Sequence, residues 1–279
     1  MNETLKRSIS GAIYVILLIA SILYSTESFF VLFGVFLLIA VAEFCNLVQI
    51  NKIIPILIAC GIYFIFYKTN FRNDISFLTK PAIELTLVTL VITLFVSIKC
   101  LLFLFSNRIT KIDSISKYLY LIGYVILPFI FITKIPFGIK GYNPKIIISI
   151  FILIWTNDTF AYIVGKSIGK RKLFERISPK KTIEGFIGGV VFAVIASYII
   201  AKYYIEVKEG ATYIWIIIAL IVGIFGTIGD LIESKFKRVS GVKDSGKIMP
   251  GHGGILDRLD SVIFAAPIVY LFYQILNFL

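Results

Sequence analysis

The chain is poor in charge, poor in cysteine and nearly without histidine. Only 16% of its 279 residues are Asp, Glu, Lys or Arg, and 58% are hydrophobic; a soluble domain carries about 25% charged residues. With a mean hydropathy of +0.94, this excludes a water-soluble globule around one core, and a disordered chain too. Cys45, Cys60 and Cys100 lie inside apolar runs, their number is odd, and no CxxC spacing occurs. Neither a disulfide framework nor a cysteine zinc site is expected. The single histidine, His252, also speaks against zinc. No GxxxxGK(S/T) loop or GxGxxG turn occurs, which removes the local signatures of P-loop nucleotidases and dinucleotide binding.

What is present is a series of apolar blocks. Residues 9–24, 28–48, 53–68, 82–105, 118–135, 145–164, 184–205, 211–234 and 257–279 approach the roughly 17–25 residues that cross a bilayer as a helix. The runs are continuous rather than alternating, which excludes a porin-like barrel. The expected fold is all-α: a polytopic integral membrane protein of about nine transmembrane helices, with a cytoplasm-facing polar active site in the C-terminal half. Residues 1–117 are read as N-terminal transmembrane helices and 118–279 as a catalytic transmembrane region. Ile9–Tyr24 ends without a small-residue cleavage site, so it is read as a first span rather than a signal peptide. Pro55 and Pro128 predict tilted or kinked spans.

The net charge is +12, from 28 Lys and Arg against 16 Asp and Glu. With the N-terminus inside, 19 bases fall on inside segments and 8 outside, the bias expected of cytoplasmic loops. The two richest loops, 165–183 and 235–256, hold +6 and +4. Two spans separate them, so they share one membrane face.

Acids within spans are expensive, about 2.5–3.5 kcal/mol at the bilayer centre, and are functional candidates for that reason. Asp158 joins two apolar runs, Asp230 and Glu233 sit three apart in GTIGDLIES, Asp257 and Asp260 recur at the same spacing in LDRLDS, and Glu184 heads a span. The plainer alternative makes these acids helix caps or interfacial markers. Glu43 and Glu84 have no polar companions in sequence and are assigned structural or interfacial roles. Carboxylates beside clustered bases suit magnesium bridged to phosphate, with Lys and Arg neutralising the remaining charge.

The first basic loop is expected to leave the membrane at Gly165 and Gly169, to carry the cationic GKRK run, and to break structure at Ser178-Pro179. Lys180, Lys181 and Thr182 then precede a helix entered at Glu184, a favourable anion seat. In the second loop, the GHGG glycines let backbone N–H groups approach an anion. The plain reading of the first loop is a lipid-headgroup anchor, whereas the second holds more charge than anchoring a helix needs.

The stretch Ser234 to Asp260 resembles the signature of the phosphatidate cytidylyltransferase (CDP-diacylglycerol synthase) family. Its polar positions are Ser234, Lys237, Arg238, Lys243, Asp244, His252, Gly253, Gly254, Asp257, Arg258 and Asp260, with Met249 in place of the usual Leu, Ile or Phe. The upstream loop from Asp158 through Gly165 to SPKKTIEG is similar to that family as well, so the resemblance covers residues 150–265. It implies attack of the phosphatidate phosphate on the α-phosphate of CTP, giving CDP-diacylglycerol and pyrophosphate. It also implies Mg²⁺, with room for a second, monovalent cation.

On that basis the metal candidates are Asp158, Asp230, Asp257 and Asp260, and the catalytic set is Asp230, Asp257, Asp260, His252, Lys243, Asp244 and Arg258. Ser178, Lys180, Lys181, Thr182, Glu184, Ser234, Lys237, Arg238, Gly253 and Gly254 are expected to bind substrate. The implied partners are CTP and bilayer phosphatidic acid, with no nucleic acid, and a second copy of the chain as a homodimer. The implied location is the cytoplasmic membrane, with N-terminus and active site on the cytoplasmic side. An ion-coupled transporter would place its polar groups at midplane on broken helices recurring in two halves; here they gather at one end. A CDP-alcohol phosphotransferase needs Gly after its second Asp, where this chain has Ser261. A CTP-dependent lipid kinase shares the charge pattern and differs in the phosphate transferred.

Overall fold

The structure, a computed structural model, describes residues 3–71, 80–106, 112–138, 141–208 and 210–278. The bases Arg72, Arg108, Lys111 and Lys140 counted above lie outside the described residues. The helices are α1 (Glu3–Tyr24), α2 (Thr26–Val48), α3 (Ile53–Phe71), α4 (Lys80–Phe105), α5 (Ser114–Tyr120), α6 (Leu127–Lys134), α7 (Pro144–Ile168), α8 (Ile183–Ile199), α9 (Thr212–Val239) and α10 (Leu256–Phe278). Two small antiparallel hairpins interrupt them, β1 (Phe137–Gly138) with β2 (Gly141–Tyr142) and β3 (Lys172–Phe174) with β4 (Ser178–Thr182). The protein is thus an all-α polytopic membrane protein. Among the described residues, eight helical stretches are long and apolar enough to cross a membrane, and the apolar part of α3, Ile53–Lys68, is shorter.

Local sequence explains most helix ends. Ser25 caps α2 in a capping box with Ser28, Asp113 caps α5, and Asn143 caps α7 just ahead of Pro144 at its first turn; each supplies an acceptor to an amide without a helical partner. A π-helical segment, Leu121–Ile126, joins α5 to α6 immediately before Pro128. The proline ring cannot sit against the carbonyl four residues back, and the widened turn gives it room.

Packing divides the chain into two compact units. Met1–Lys134 and Phe236–Leu259 form the first; Ile135–Lys235 and Asp260–Leu279 form the second. In the first unit, the buried Phe236 ring lies 4.9 Å from Phe103, 5.1 Å from Phe44, 5.2 Å from Tyr120 and 5.5 Å from Tyr124. This aromatic cluster fastens the start of the second basic loop to the N-terminal helices, and Ser240 Oγ adds a 2.6 Å hydrogen bond to the Leu47 carbonyl.

In the second unit, α7 and α8 cross at small residues. A Cβ on Gly185 would lie 2.6 Å from the Ala161 carbonyl, and one on Gly189 2.6 Å from that of Asn157. Such close approach is how membrane helices gain contact without a hydrophobic drive. Two expectations are corrected here. Gly165 does not turn the chain; α7 continues to Ile168, and Gly165 packs against Gly185 on α8. Ser178-Pro179 does not break structure, because Ser178–Thr182 is the strand β4; Pro179 is tolerated in a two-stranded ribbon whose outer edge is unpaired.

Candidate active site

The second unit holds the first basic loop. Its hairpin registers Lys172 against Thr182 and Phe174 against Ser178. Thr182 Oγ1 then accepts from Gly185 N at 3.1 Å and caps α8. Glu184, in the first turn, accepts from the backbone N–H of Lys170 (3.0 Å) and Arg171 (3.2 Å), and Lys172 Nζ donates to the Pro179 carbonyl (2.7 Å). Glu184 was expected to bind substrate; here its carboxylate folds the loop, holding the GKRK backbone to the start of α8.

Side chains alternate along a strand, so Lys180 and Lys181 leave β4 on opposite faces. Lys181 Nζ meets Asp230 Oδ2 of α9 at 2.5 Å, while Lys180 is exposed. Ser234, one turn beyond Asp230, donates its hydroxyl to Asp230 Oδ1 at 3.2 Å. Asp158 on α7 is exposed and accepts from the buried Asn157 amide at 3.2 Å, which also reaches Thr227 Oγ1 at 3.5 Å. Asp260 accepts from Ser261 N at 2.6 Å.

The first unit holds the second loop. Lys237 Nζ meets Asp257 Oδ1 at 2.6 Å, with side-chain exposures of only 12% and 5%. Asp257 Oδ2 accepts Gly254 N (2.7 Å), Ser245 Oγ (2.8 Å) and Ser245 N (2.9 Å). One carboxylate thereby closes the loop ahead of α10 and orients a lysine. Arg238, Lys243, Asp244 and Arg258 are exposed around this core. His252 stands on a turn closed by Met249 and Gly253, its Nδ1 2.9 Å from Ser10 Oγ of α1. Partial burial, helped by the Arg258 and Arg7 charges, holds its pKa below the ordinary 6.5. The ring is therefore neutral at pH 7.

The backbone of the GHGG segment and the start of α10 do approach an anion, but it is the protein's own. Ile255 N and Leu256 N donate to the Glu43 carboxylate of α2 at 3.2 and 2.9 Å, and Ser245 Oγ lies 3.2 Å away. Glu43, assigned no polar companions from sequence, is 5% exposed and has three. Gly254 N, expected to face substrate, faces Asp257. Glu43, Ser245, Asn157 and Ser10 are thus the residues that sequence reasoning missed. A lone Glu in an apolar run carries no pattern, but Ser245 sits one residue from the Lys-Asp step of the signature and could have been found there.

The donors fit a hard divalent cation better than a soft one, being carboxylates with no thiolate nearby. Among the described residues no three His, Cys, Asp or Glu side chains group closely enough to hold a metal alone. Magnesium needs no such cage, since it takes one or two carboxylates and completes its shell with phosphate and water. Asp230 fits best: each of its oxygens carries one of the hydrogen bonds above, so each keeps acceptor capacity. The Asp257 carboxylate, with four donors, is by contrast nearly filled.

Geometry and sequence both define a membrane-embedded class with lysine–aspartate pairs at its polar loops. The chain belongs to the Cytidylyltransferase family, which it matches over residues 5–276. It is 50% identical over 120 residues to a protein named phosphatidate cytidylyltransferase from Bacillus subtilis (strain 168), covering 43% of this chain and 44% of that one. A protein of the same name from Staphylococcus aureus (strain COL) is 50% identical over 121 residues, 43% of this chain and 45% of that one. One from Staphylococcus saprophyticus is 35% identical over 227 residues, 80% of each chain. The matched stretch thus spans a little under half of the first two relatives and four fifths of the third.

Proposed function

We propose that the protein is a CTP:phosphatidate cytidylyltransferase of phospholipid biosynthesis. The observation that carries this reading is that each basic loop delivers a lysine held by an aspartate of its own unit: Lys181 by Asp230 in the second, Lys237 by Asp257 in the first. Held ammonium groups are what nucleotidyl transfer between two polyanions requires, because the difficulty is electrostatic rather than one of making a nucleophile. A phosphomonoester is already anionic near neutral pH. Its oxygen forms a bond to the α-phosphorus of CTP, the α–β anhydride bond breaks, and pyrophosphate leaves with the electron pair.

In this scheme Lys181 and Lys237 neutralise phosphate oxygens, and Asp230 and Asp257 fix where those charges stand. The exposed Lys180, Arg238, Lys243 and Arg258 gather the incoming anions, and Ser234 orients Asp230. Neutral His252 accepts or passes a proton at its ring. Mg²⁺, when bound, supplies further neutralisation of the triphosphate; Asp230 would hold it, with Asp158 and Asp260 as further candidates. We place the basic loops and the N-terminus on the cytoplasmic side of the inner membrane, where CTP is available, and take a homodimer as the assembly.

The test is label transfer by purified protein in detergent with Mg²⁺ and phosphatidate. Label from [α-³²P]CTP should appear in lipid with equimolar pyrophosphate release. Transfer of label from [γ-³²P]CTP instead would assign a lipid kinase and refute the proposal.

A further inference from the structure

One acid of the N-terminal helices enters the motif region. Glu43, deep in α2, collects Ser245 Oγ and the amides of Ile255 and Leu256. These are the two residues before Asp257, and the loop is shaped around the intruding carboxylate. A Cβ on Gly246 or on Gly254 would fall onto it, so both backbones approach at a separation only glycine permits. The single hydrogen of the Ser245 hydroxyl faces two acids, Asp257 at 2.8 Å and Glu43 at 3.2 Å. Asp257 in turn carries Lys237 on its other oxygen.

We propose that Glu43 is a positioning residue for the Lys237–Asp257 pair: by fixing Ser245 and the first turn of α10, it sets where Asp257 presents the Lys237 ammonium. The functional consequence rests on the reading of Lys237 as a phosphate-neutralising group. Glu43 touches no substrate in this scheme. Its carboxyl group is placed where the backbone would otherwise leave helix N-terminal amides without acceptors, and its donors Ser245, Ile255 and Leu256 all precede the working acid in the chain.

The test uses the full chain in detergent and the pyrophosphate-release assay. Glu43→Gln sets an amide NH₂ against converging donors and should lower kcat about ten- to a hundredfold, the scale of a misplaced group, with KM for CTP altered less. Ser245→Ala should lower kcat in the same direction. The double variant should fall no further than Glu43→Gln alone, because groups acting in one chain are not additive; independent losses that multiply would overturn the proposal. Wild-type kcat in either well-folded variant would overturn it too. Should Glu43→Gln not fold, Glu43→Asp, which keeps the carboxylate and shortens its reach, takes its place with the same expected loss of kcat. If the wild-type protein releases no pyrophosphate, the functional reading fails separately and hydrogen exchange decides the positioning. The amides of Ser245 and Gly254 point at Asp257, not Glu43, and should lose protection in Glu43→Gln; unchanged protection there refutes the role.

Discussion

Replacing Asp257 by Asn separates what this residue does for the fold from what it does for turnover. The variant keeps the side-chain shape but removes the charge opposite Lys237, whose side chain is 12% exposed. Neutralising the acid of a pair so placed is destabilising by up to about 3–5 kcal/mol, the typical cost of breaking a buried pair from one side. Loss of the acceptor that receives Gly254 N, Ser245 N and Ser245 Oγ adds about 1 kcal/mol, the scale of a lost helix cap. Thermal unfolding in detergent should therefore show a clearly lowered midpoint, and pyrophosphate release should vanish. The decisive step is a second change. Lys237→Met in the Asp257→Asn background removes the charge that has lost Asp257 opposite it and should recover most of the lost stability while activity stays absent. A double variant no more stable than Asp257→Asn alone would refute the argument, since the penalty would then not lie in the Lys237 charge.

Asp230→Asn should abolish turnover while leaving membrane insertion and the thermal midpoint nearly unchanged, because the Lys181–Asp230 pair is about 30% exposed on each side and such pairs add little stability; normal activity in the variant would refute the metal and lysine assignment. Removal of divalent cations by chelation should stop label transfer, and Mg²⁺ should restore it where Zn²⁺ does not. His252 titrates below 6.5 in the folded protein, so between those values the unfolded chain binds the extra proton and stability falls as pH drops through the folded pKa. His252→Gln should flatten the decline in thermal midpoint below pH 6.5, and an unchanged slope would contradict the assignment. Gly185→Val should separate α7 from α8, because the new side chain meets the Ala161 carbonyl and Gly165; both detergent stability and activity should drop.

Much of the architecture was legible because hydrocarbon leaves a chain few options. Apolar blocks bounded by charges must be helices that satisfy their own backbone, and the expected spans differ from the observed helices mainly at their ends, as where α9 runs on to Val239 rather than stopping near residue 234. The loop signature also identified Lys237, Asp257 and Gly254, which the structure brings together in the first unit; the upstream basic loop and the acids within spans supplied Lys181 and Asp230, which meet in the second beside Ser234 of the signature. What stayed illegible falls into two kinds. Short polar structure, such as the β3–β4 hairpin, is stabilised by side-chain-to-backbone bonds from Glu184 and Lys172; their spacing along the chain matches no helical or strand period.

Long-range polar pairing is the other kind. Glu43 looks like an isolated acid until α2 is packed beside the second loop, whereupon it meets donors more than 200 residues away. The sequence reading let the GHGG amides approach an anion, because absent side chains open the backbone to one. In the structure the Gly254 amide meets Asp257, and the next two amides meet Glu43. Internal carboxylates occupy these amides, and in the proposed scheme phosphate falls to the lysines, Lys237 in the first unit and Lys181 in the second. Substitution of the loop glycines should on this view disturb Glu43 and Asp257 first, and substrate affinity only through them.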